Sequence, residues 1–474
     1  MTRPVSSRTC GTHREDSFSQ ERLSARAYIA RHQQVVAPST VPSYFNKVIL
    51  HGSGKGMWVH TIDGKRVLIA DSDLGVSALG YNHPKLIEFR RMNPHLFDPA
   101  DAPGRYFLMR NVNAGWRKYE ELSQDILSRM LIGLAYPDDS PEAHMVIYDL
   151  GGGPLVEKVK RFLLRIRPVA NRFIVCEGAF HGRFVPEFTR SNPIQEEYAL
   201  PLGIAIEIPY PKSSEDVARA LEILMRKPKN NINAVLLEGV QGEGGMNEAD
   251  THAMQCLVGA LGQEMPRIKV VFDEIQTFTR TGGWFSFEEY GLNPDIVLIG
   301  KALGGGEAIS AAIVPKKKLP FGWHGGTFPG YPGPVAQAIV TLDIIKQERL
   351  MENARKMGSY LGDRLGLLVD DAVYGYPSGS SFCTLLLKGR GLMRGIGFRA
   401  MGGASYPEWR DETLKALIRD CVFTTAAGHP RINPAIRIMP ALNVDKDTID
   451  FLVEKLTRAV KVGFERAEKK RKKS

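Results

Sequence analysis

Short apolar runs alternate with helical patterns between about residues 145 and 345. The runs are Phe173-Ile174-Val175, Ala234-Val235-Leu236-Leu237, Val270-Val271-Phe272 and Ile296-Val297-Leu298-Ile299. None alternates apolar with polar, as a half-exposed strand does, so each predicts a strand buried on both faces. Such strands, separated by helices, build a mostly parallel sheet. The pattern differs on either side. From about residue 20 to 90, a short helical pattern gives way to strand-like alternation. There Asp63-Gly64 reads as a hairpin turn between Met57-Trp58-Val59 and Arg66-Val67-Leu68-Ile69. From about residue 350 helical segments return, with a strand-like piece at Phe382-Cys383-Thr384-Leu385-Leu386-Leu387. The expected class is α/β, with an N-terminal segment at 1–90, a large domain at 91–350 and a C-terminal small domain at 351–474. Residues 1–90 contribute part of the small domain, which both termini build.

Parallel sheets place ligands at the carboxyl ends of their strands. The residues that follow the runs are polar or glycine-rich. They are Glu238 through Gly245 with Glu243 among them, then Asp273-Glu274-Ile275-Gln276, then Gly300-Lys301 before Gly304-Gly305-Gly306. Gly151-Gly152-Gly153-Pro154 opens a helix whose apolar face is Val156, Val159, Phe162, Leu163 and Ile166. Bare N–H groups at a helix start suit a phosphate, although a plain turn reads the same. A lysine at position 301 would be partly desolvated, which favours the neutral, nucleophilic amine. On position alone, a surface lysine at a strand end is the favoured reading. Asp273 is open to three readings: a carboxylate for a cofactor's ring nitrogen, a turn cap, or half of a nucleotide hydrolase's acidic pair. The last needs a GxxxxGK[ST] loop. His51-Gly52-Ser53-Gly54-Lys55-Gly56 is the nearest approach, with the wrong spacing.

Composition narrows the classes. The chain has 474 residues, 43% hydrophobic and 24% charged, as expected of a globular protein with two or three lobes. No apolar run reaches the roughly eighteen residues of a membrane span. The polar stretch Met1 to Gln20 does not read as a secretory signal. Cysteines at 10, 176, 256, 383 and 421 show neither metal nor disulfide spacing, which suggests a reducing cytoplasm. The net charge of +10 includes the tail Lys469-Lys470-Arg471-Lys472-Lys473. A nucleic-acid or membrane patch can look like this, but a solvated helix end is the plainer reading. Neither partner is expected.

Taken in order, the motifs resemble those of one family. Val271-Phe272-Asp273-Glu274-Ile275-Gln276-Thr277, Arg280-Thr281-Gly282, Asn293-Pro294-Asp295 and Gly300-Lys301-Ala302-Leu303-Gly304-Gly305-Gly306 resemble the signature of class III (ω-) aminotransferases. Ala179-Phe180-His181-Gly182-Arg183, Glu238 to Gly245, Gly325-Gly326-Thr327-Phe328 and Ile436-Arg437-Ile438 continue the likeness, which spans about residues 45 to 465. The resemblance implies a fold-type I enzyme dependent on pyridoxal 5′-phosphate, with a mostly parallel seven-stranded sheet. It implies that Lys301 forms the Schiff base and shuttles a proton, and that Asp273 pairs with the pyridine nitrogen. By the same likeness, Gln276 contacts the phenolic oxygen, Phe180 stacks on the ring, and Gly152 and Gly153 bind the phosphate. Glu238 reads as either a site residue or a structural one; His181 and Glu274 read as structural. Thr327 would reach the phosphate site of a neighbouring subunit, so a homodimer with shared sites is implied. Arg437 would bind a substrate carboxylate, with Glu243 as a gate over it. The expected reaction moves an amino group to a 2-oxo acid such as 2-oxoglutarate.

The chain also departs from the family pattern. Before the phosphate-binding helix the family has a Ser-Gly-Ser/Thr-Glu-Ala type sequence; here Gly152-Gly153-Pro154-Leu155 carries no hydroxyl. A similar glycine-rich turn occurs in the lysine 6-aminotransferase branch, which suggests the ω-amine of lysine or a similar diamino acid as donor. Other readings stay open at this stage. They are a racemase or epimerase, an aminomutase or a decarboxylase on the same scaffold, and a non-catalytic relative.

Overall fold

The computed structural model describes residues 53–97, 122–190, 203–374, 383–400 and 407–471. The helical pattern expected just after residue 20, Cys10, Lys472 and Lys473 lie outside them.

The strands, in chain order, start with β1 (Trp58–His60), β2 (Arg66–Ile69), β3 (His144–Asp149), β4 (Arg172–Cys176), β5 (Ala205–Ile208) and β6 (Ile232–Leu237). Next come β7 (Val240–Gln241), β8 (Asn247–Glu248), β9 (Lys269–Asp273), β10 (Ile296–Ile299) and β11 (Ser310–Pro315). The last are β12 (Cys383–Arg390), β13 (Met393–Ala400), β14 (Val422–Phe423), β15 (Ala426–Ala427) and β16 (Ala435–Ile438). Seven of them form the central sheet in the order β3-β11-β10-β9-β6-β4-β5. The pairs from β10 across to β5 are parallel. Only β11 runs against its neighbours.

All four apolar runs lie within these strands, and the reason they fail to alternate is visible in the packing. Val271, Ile296 and Leu298 belong to the apolar layer on one face, while Phe272, Val297 and Ile299 belong to the other. Burying such a side chain stabilises the fold by roughly 1.5–3 kcal/mol, so both faces demand large apolar residues. The first layer is completed by the helix Gly152–Ile166, which contributes Leu155, Val156, Val159, Phe162 and Leu163.

Among the described residues three smaller sheets accompany this core, one of them only the strand pair β7-β8. β1 and β2 form the expected hairpin, with Gly64 in the turn at φ +75°, a conformation that suits glycine. β14 adds to β2 in parallel, Val422 opposite Leu68, so one three-stranded sheet holds chain from both ends. A four-stranded sheet of order β12-β13-β16-β15 carries Arg437 in β16.

Candidate active site

The carboxyl ends of β3, β6, β9 and β10 open on one cavity of about 390 Å³. Asp273 is the last residue of β9, and Lys301 follows β10 by two residues. Glu238 follows β6 directly, and the Gly151–Gly153 turn joins β3 to its helix. The cavity thus gathers Gly152, Gly153, Phe180 and Glu238 with Glu243, Asp273, Gln276 and Lys301. Arg437 stands behind Glu243, fully buried. Thr327 is exposed and does not line the cavity of its own chain.

Lys301 is half-buried and adopts φ +42°, the left-handed region that non-glycine residues avoid. Such strain costs about 1–3 kcal/mol and collects at functional sites. Loss of water around the amine pushes its pKa down to about 8, although the Glu243 charge opposes the shift. About a tenth of the amine is therefore neutral at pH 7, against well under a thousandth for an ordinary lysine.

Asp273 is held by two donors. Its Oδ1 accepts from the N–H of Ile275 at 3.0 Å, and its Oδ2 lies 2.8 Å from Nδ1 of buried His181. Burial works against a charged His181, yet the bond to Asp273 and the Glu238 charge raise its pKa overall. Glu238 Oε1 accepts from the Phe180 N–H at 3.0 Å and lies 4.0 Å from His181 Nε2. Burial lifts the Glu238 carboxyl to about 7 despite the imidazole beside it. Glu274, next to Asp273, points away into the core and accepts from Ser286 Oγ at 2.8 Å and Phe287 N–H at 3.0 Å. Glu274 is structural, as the sequence suggested.

The far wall holds an ion pair. Arg437 Nη2 donates to Glu243 Oε1 at 2.6 Å, while Nε and Nη1 of the same guanidinium have no hydrogen-bond partner among the described residues. Burial disfavours the Glu243 anion, but the charges of Arg437 and Lys301 outweigh it and hold its pKa low.

Several cavity residues escaped the sequence reading. Val76, Glu307 and Ile309 line it. Val76 comes from the N-terminal part and carried no motif; Glu307 follows the glycine run and pairs with Arg90 at 2.9 Å. His181 was visible in its motif, but its bond to Asp273 was not.

The cavity suits pyridoxal 5′-phosphate. It offers a buried carboxylate, an aromatic face, an amine of lowered pKa and a helix start with no side-chain cap. The turn is also tight. A Cβ on Gly152 would fall 2.8 Å from Ile275 Cδ1, and one on Gly182 would fall 2.5 Å from Gly153 Cα.

A strand-end lysine beside a buried aspartate on this sheet defines the class: a fold-type I, pyridoxal-phosphate-dependent enzyme. The chain belongs to the class III aminotransferases, whose profile (Aminotransferase class-III) matches residues 156–460. It is 26% identical over 441 residues to an acetylornithine aminotransferase of Methanosarcina acetivorans, covering 91% of this chain and 97% of the relative. An acetylornithine aminotransferase of Brucella melitensis is 29% identical over 353 residues, 72% of this chain and 78% of that one. Among solved structures, an (S)-enantioselective ω-transaminase from Thermomicrobium roseum superposes with a TM-score of 0.75 at 23% identity, covering 94% of this chain and 99% of that one. Ornithine aminotransferase from Toxoplasma gondii gives 0.71 at 22% identity, covering 94% and 96%. These structural likenesses carry the fold. The family places the chain among aminotransferases; no comparison points to the racemase, mutase, decarboxylase or non-catalytic readings.

Proposed function

We propose that this aminotransferase takes the terminal amine of a diamino acid or a derivative and passes it to a 2-oxo acid such as 2-oxoglutarate. The observation that carries this reading is the Glu243–Arg437 pair at 2.6 Å in the cavity wall. A donor that reacts through its distal amine brings no carboxylate to that wall. The guanidinium then needs an internal partner, and Glu243 supplies one. A 2-oxo dicarboxylate does bring a carboxylate, and Glu243 must yield Arg437 to it. Lysine, ornithine and N-acetylornithine all offer such an amine. The glycine-rich turn favours lysine, and the names of the relatives favour the other two.

Pyridoxal 5′-phosphate supplies the electron sink for the pair left when the donor's C–H bond breaks. In this reading Lys301 holds the cofactor covalently and its Nζ moves the proton. Asp273, fixed by His181 and the Ile275 N–H, keeps the ring nitrogen protonated. Gln276 would contact the phenolic oxygen, Phe180 would stack on the ring, and the main chain of Gly152 and Gly153 would take the phosphate. The exposed Thr327 completes the site of a second copy, so the working unit is a homodimer. Free thiols at Cys176, Cys256 and Cys421 accord with a reducing cytoplasm. The test is a panel of amines and amino acids, scored by conversion of the bound cofactor to its pyridoxamine form in absorbance. Diamino acids or derivatives with a free terminal amine should convert it fastest, and Glu243→Ala should shift preference toward α-amino donors. Unchanged preference in that variant would sink the gate.

A further inference from the structure

A phosphate site made of main chain works only if that main chain is held still. Glycine loses more conformational freedom on ordering than any other residue, and Gly151-Gly152-Gly153 stacks three of them where no side chain can offer a hydroxyl. The structure shows what holds the turn. Lys158, further along the helix Gly152–Ile166, reaches back toward its start, as helical side chains lean. Its Nζ donates to the carbonyl of Tyr148 at 2.8 Å and lies 2.7 Å from Oδ2 of Asp149, the last residue of β3. The other oxygen of Asp149 accepts from the Leu150 N–H at 2.7 Å. Across the sheet Ser310 stands opposite Asp149 and donates its Oγ to the carbonyl of Gly151 at 3.0 Å. Strand end, turn and helix are tied together from three directions. Both ionic side chains are only 10% exposed. A buried ion pair adds little net stability compared with apolar residues of the same size, so packing alone does not account for it.

We propose that Asp149 and Lys158 are positioning residues for the cofactor phosphate. They lock the Asp149–Gly153 turn with its N–H groups facing the cavity, in place of the hydroxyl side chains the turn lacks. The proposal rests on the reading that this helix start receives the phosphate. Neither residue touches the ligand; both act through the backbone.

The test compares two ligands of the cofactor-free protein. Pyridoxal 5′-phosphate and pyridoxal share the ring and the aldehyde but differ in the phosphate. Titrations followed by absorbance give both dissociation constants. Lys158→Met should weaken pyridoxal 5′-phosphate about tenfold, the scale of one charge-assisted contact, and leave pyridoxal nearly unchanged. If the unpaired Asp149 prevents folding, the double variant Asp149→Asn with Lys158→Met leaves no lone charge and should show the same selective loss. Gly153→Asp sets a carboxylate at the turn and reports on the phosphate location itself. Equal weakening of both ligands by the brace variants, or none, with Gly153→Asp still selective, overturns the brace. An unselective Gly153→Asp overturns the phosphate reading beneath it.

Discussion

Glu238 is a carboxyl the fold would be more stable without, and the amount can be worked out. It is 8% exposed and titrates at about 7 instead of its ordinary 4.5, burial being the main cause. A raised carboxyl pKa means the folded chain binds a proton that the unfolded chain has released. Stability therefore falls as pH rises from about 4.5 to 7 and stays low above. The full cost is about 3 kcal/mol at pH 8 and about 0.4 kcal/mol at pH 4.5. Glu238→Gln removes the charge and keeps an oxygen for the Phe180 N–H. It should stabilise the cofactor-free protein by up to about 3 kcal/mol at pH 8 and by almost nothing at pH 4.5. The gain is an upper limit because Glu238 also helps to hold the His181 pKa up, so its loss weakens the charged imidazole. Urea denaturation at the two pH values reads the difference. A gain of equal size at both, or a loss at pH 8, would refute the reasoning.

Two further variants probe the same cavity. Lys301 should react with pyridoxal at a rate that rises with pH and reaches half its maximum near 8; in Glu243→Gln the midpoint should move lower, since that carboxylate supports the ammonium form, and a midpoint above 10 would contradict the burial argument. Gly242→Ala would place its Cβ 1.3 Å from Gln276 Oε1, so the amide must swing away. The expected cost is about 1 kcal/mol of stability with a changed absorbance of the bound cofactor, and an unchanged spectrum would remove Gln276 from the phenolic oxygen.

The central sheet was legible because its strands are buried twice over. Ile296 to Ile299 feed both apolar layers, and only an unbroken apolar run can do that. The ends of those strands then marked Asp273, Glu238 and Lys301 as candidates, and the family likeness supplied the roles expected of them. Pairings across long stretches of chain were not legible in the same way. Glu243, in the turn between β7 and β8, meets Arg437 of β16 across 194 positions, and only the family likeness joined them. Asp149 and Lys158 are close in sequence, but their spacing fits neither strand nor helix periodicity, because one lies on each side of a turn. Nor could the pattern tell that His181 serves Asp273. An aromatic-His-Gly motif names the residue and leaves its partner open.

Arg280 shows how such distant pieces are kept together. It is among the largest fully buried side chains, and among the described residues none of its hydrogen bonds reaches a carboxylate. Its guanidinium donates instead to the carbonyls of Gly75 at 3.0 Å and Pro440 at 2.9 Å, with a longer bond to Met439 at 3.4 Å. Burial lowers its pKa to about 10, helped back up by the charge of Asp71, so it remains a cation at neutral pH. Burying a cation this way is costly, and a neutral side chain could fill the space. What it could not do is hold three carbonyls from opposite ends of the chain. Gly75 precedes the cavity residue Val76, and Met439 lies two residues beyond Arg437. One cation that follows Asp273 in the same loop thus ties the cavity wall at Val76 to the strand end just beyond Arg437. The strained backbone of Lys301 and the raised carboxyl of Glu238 draw stability from the fold, and a junction buried this deeply offsets part of that cost by holding the two ends of the chain together.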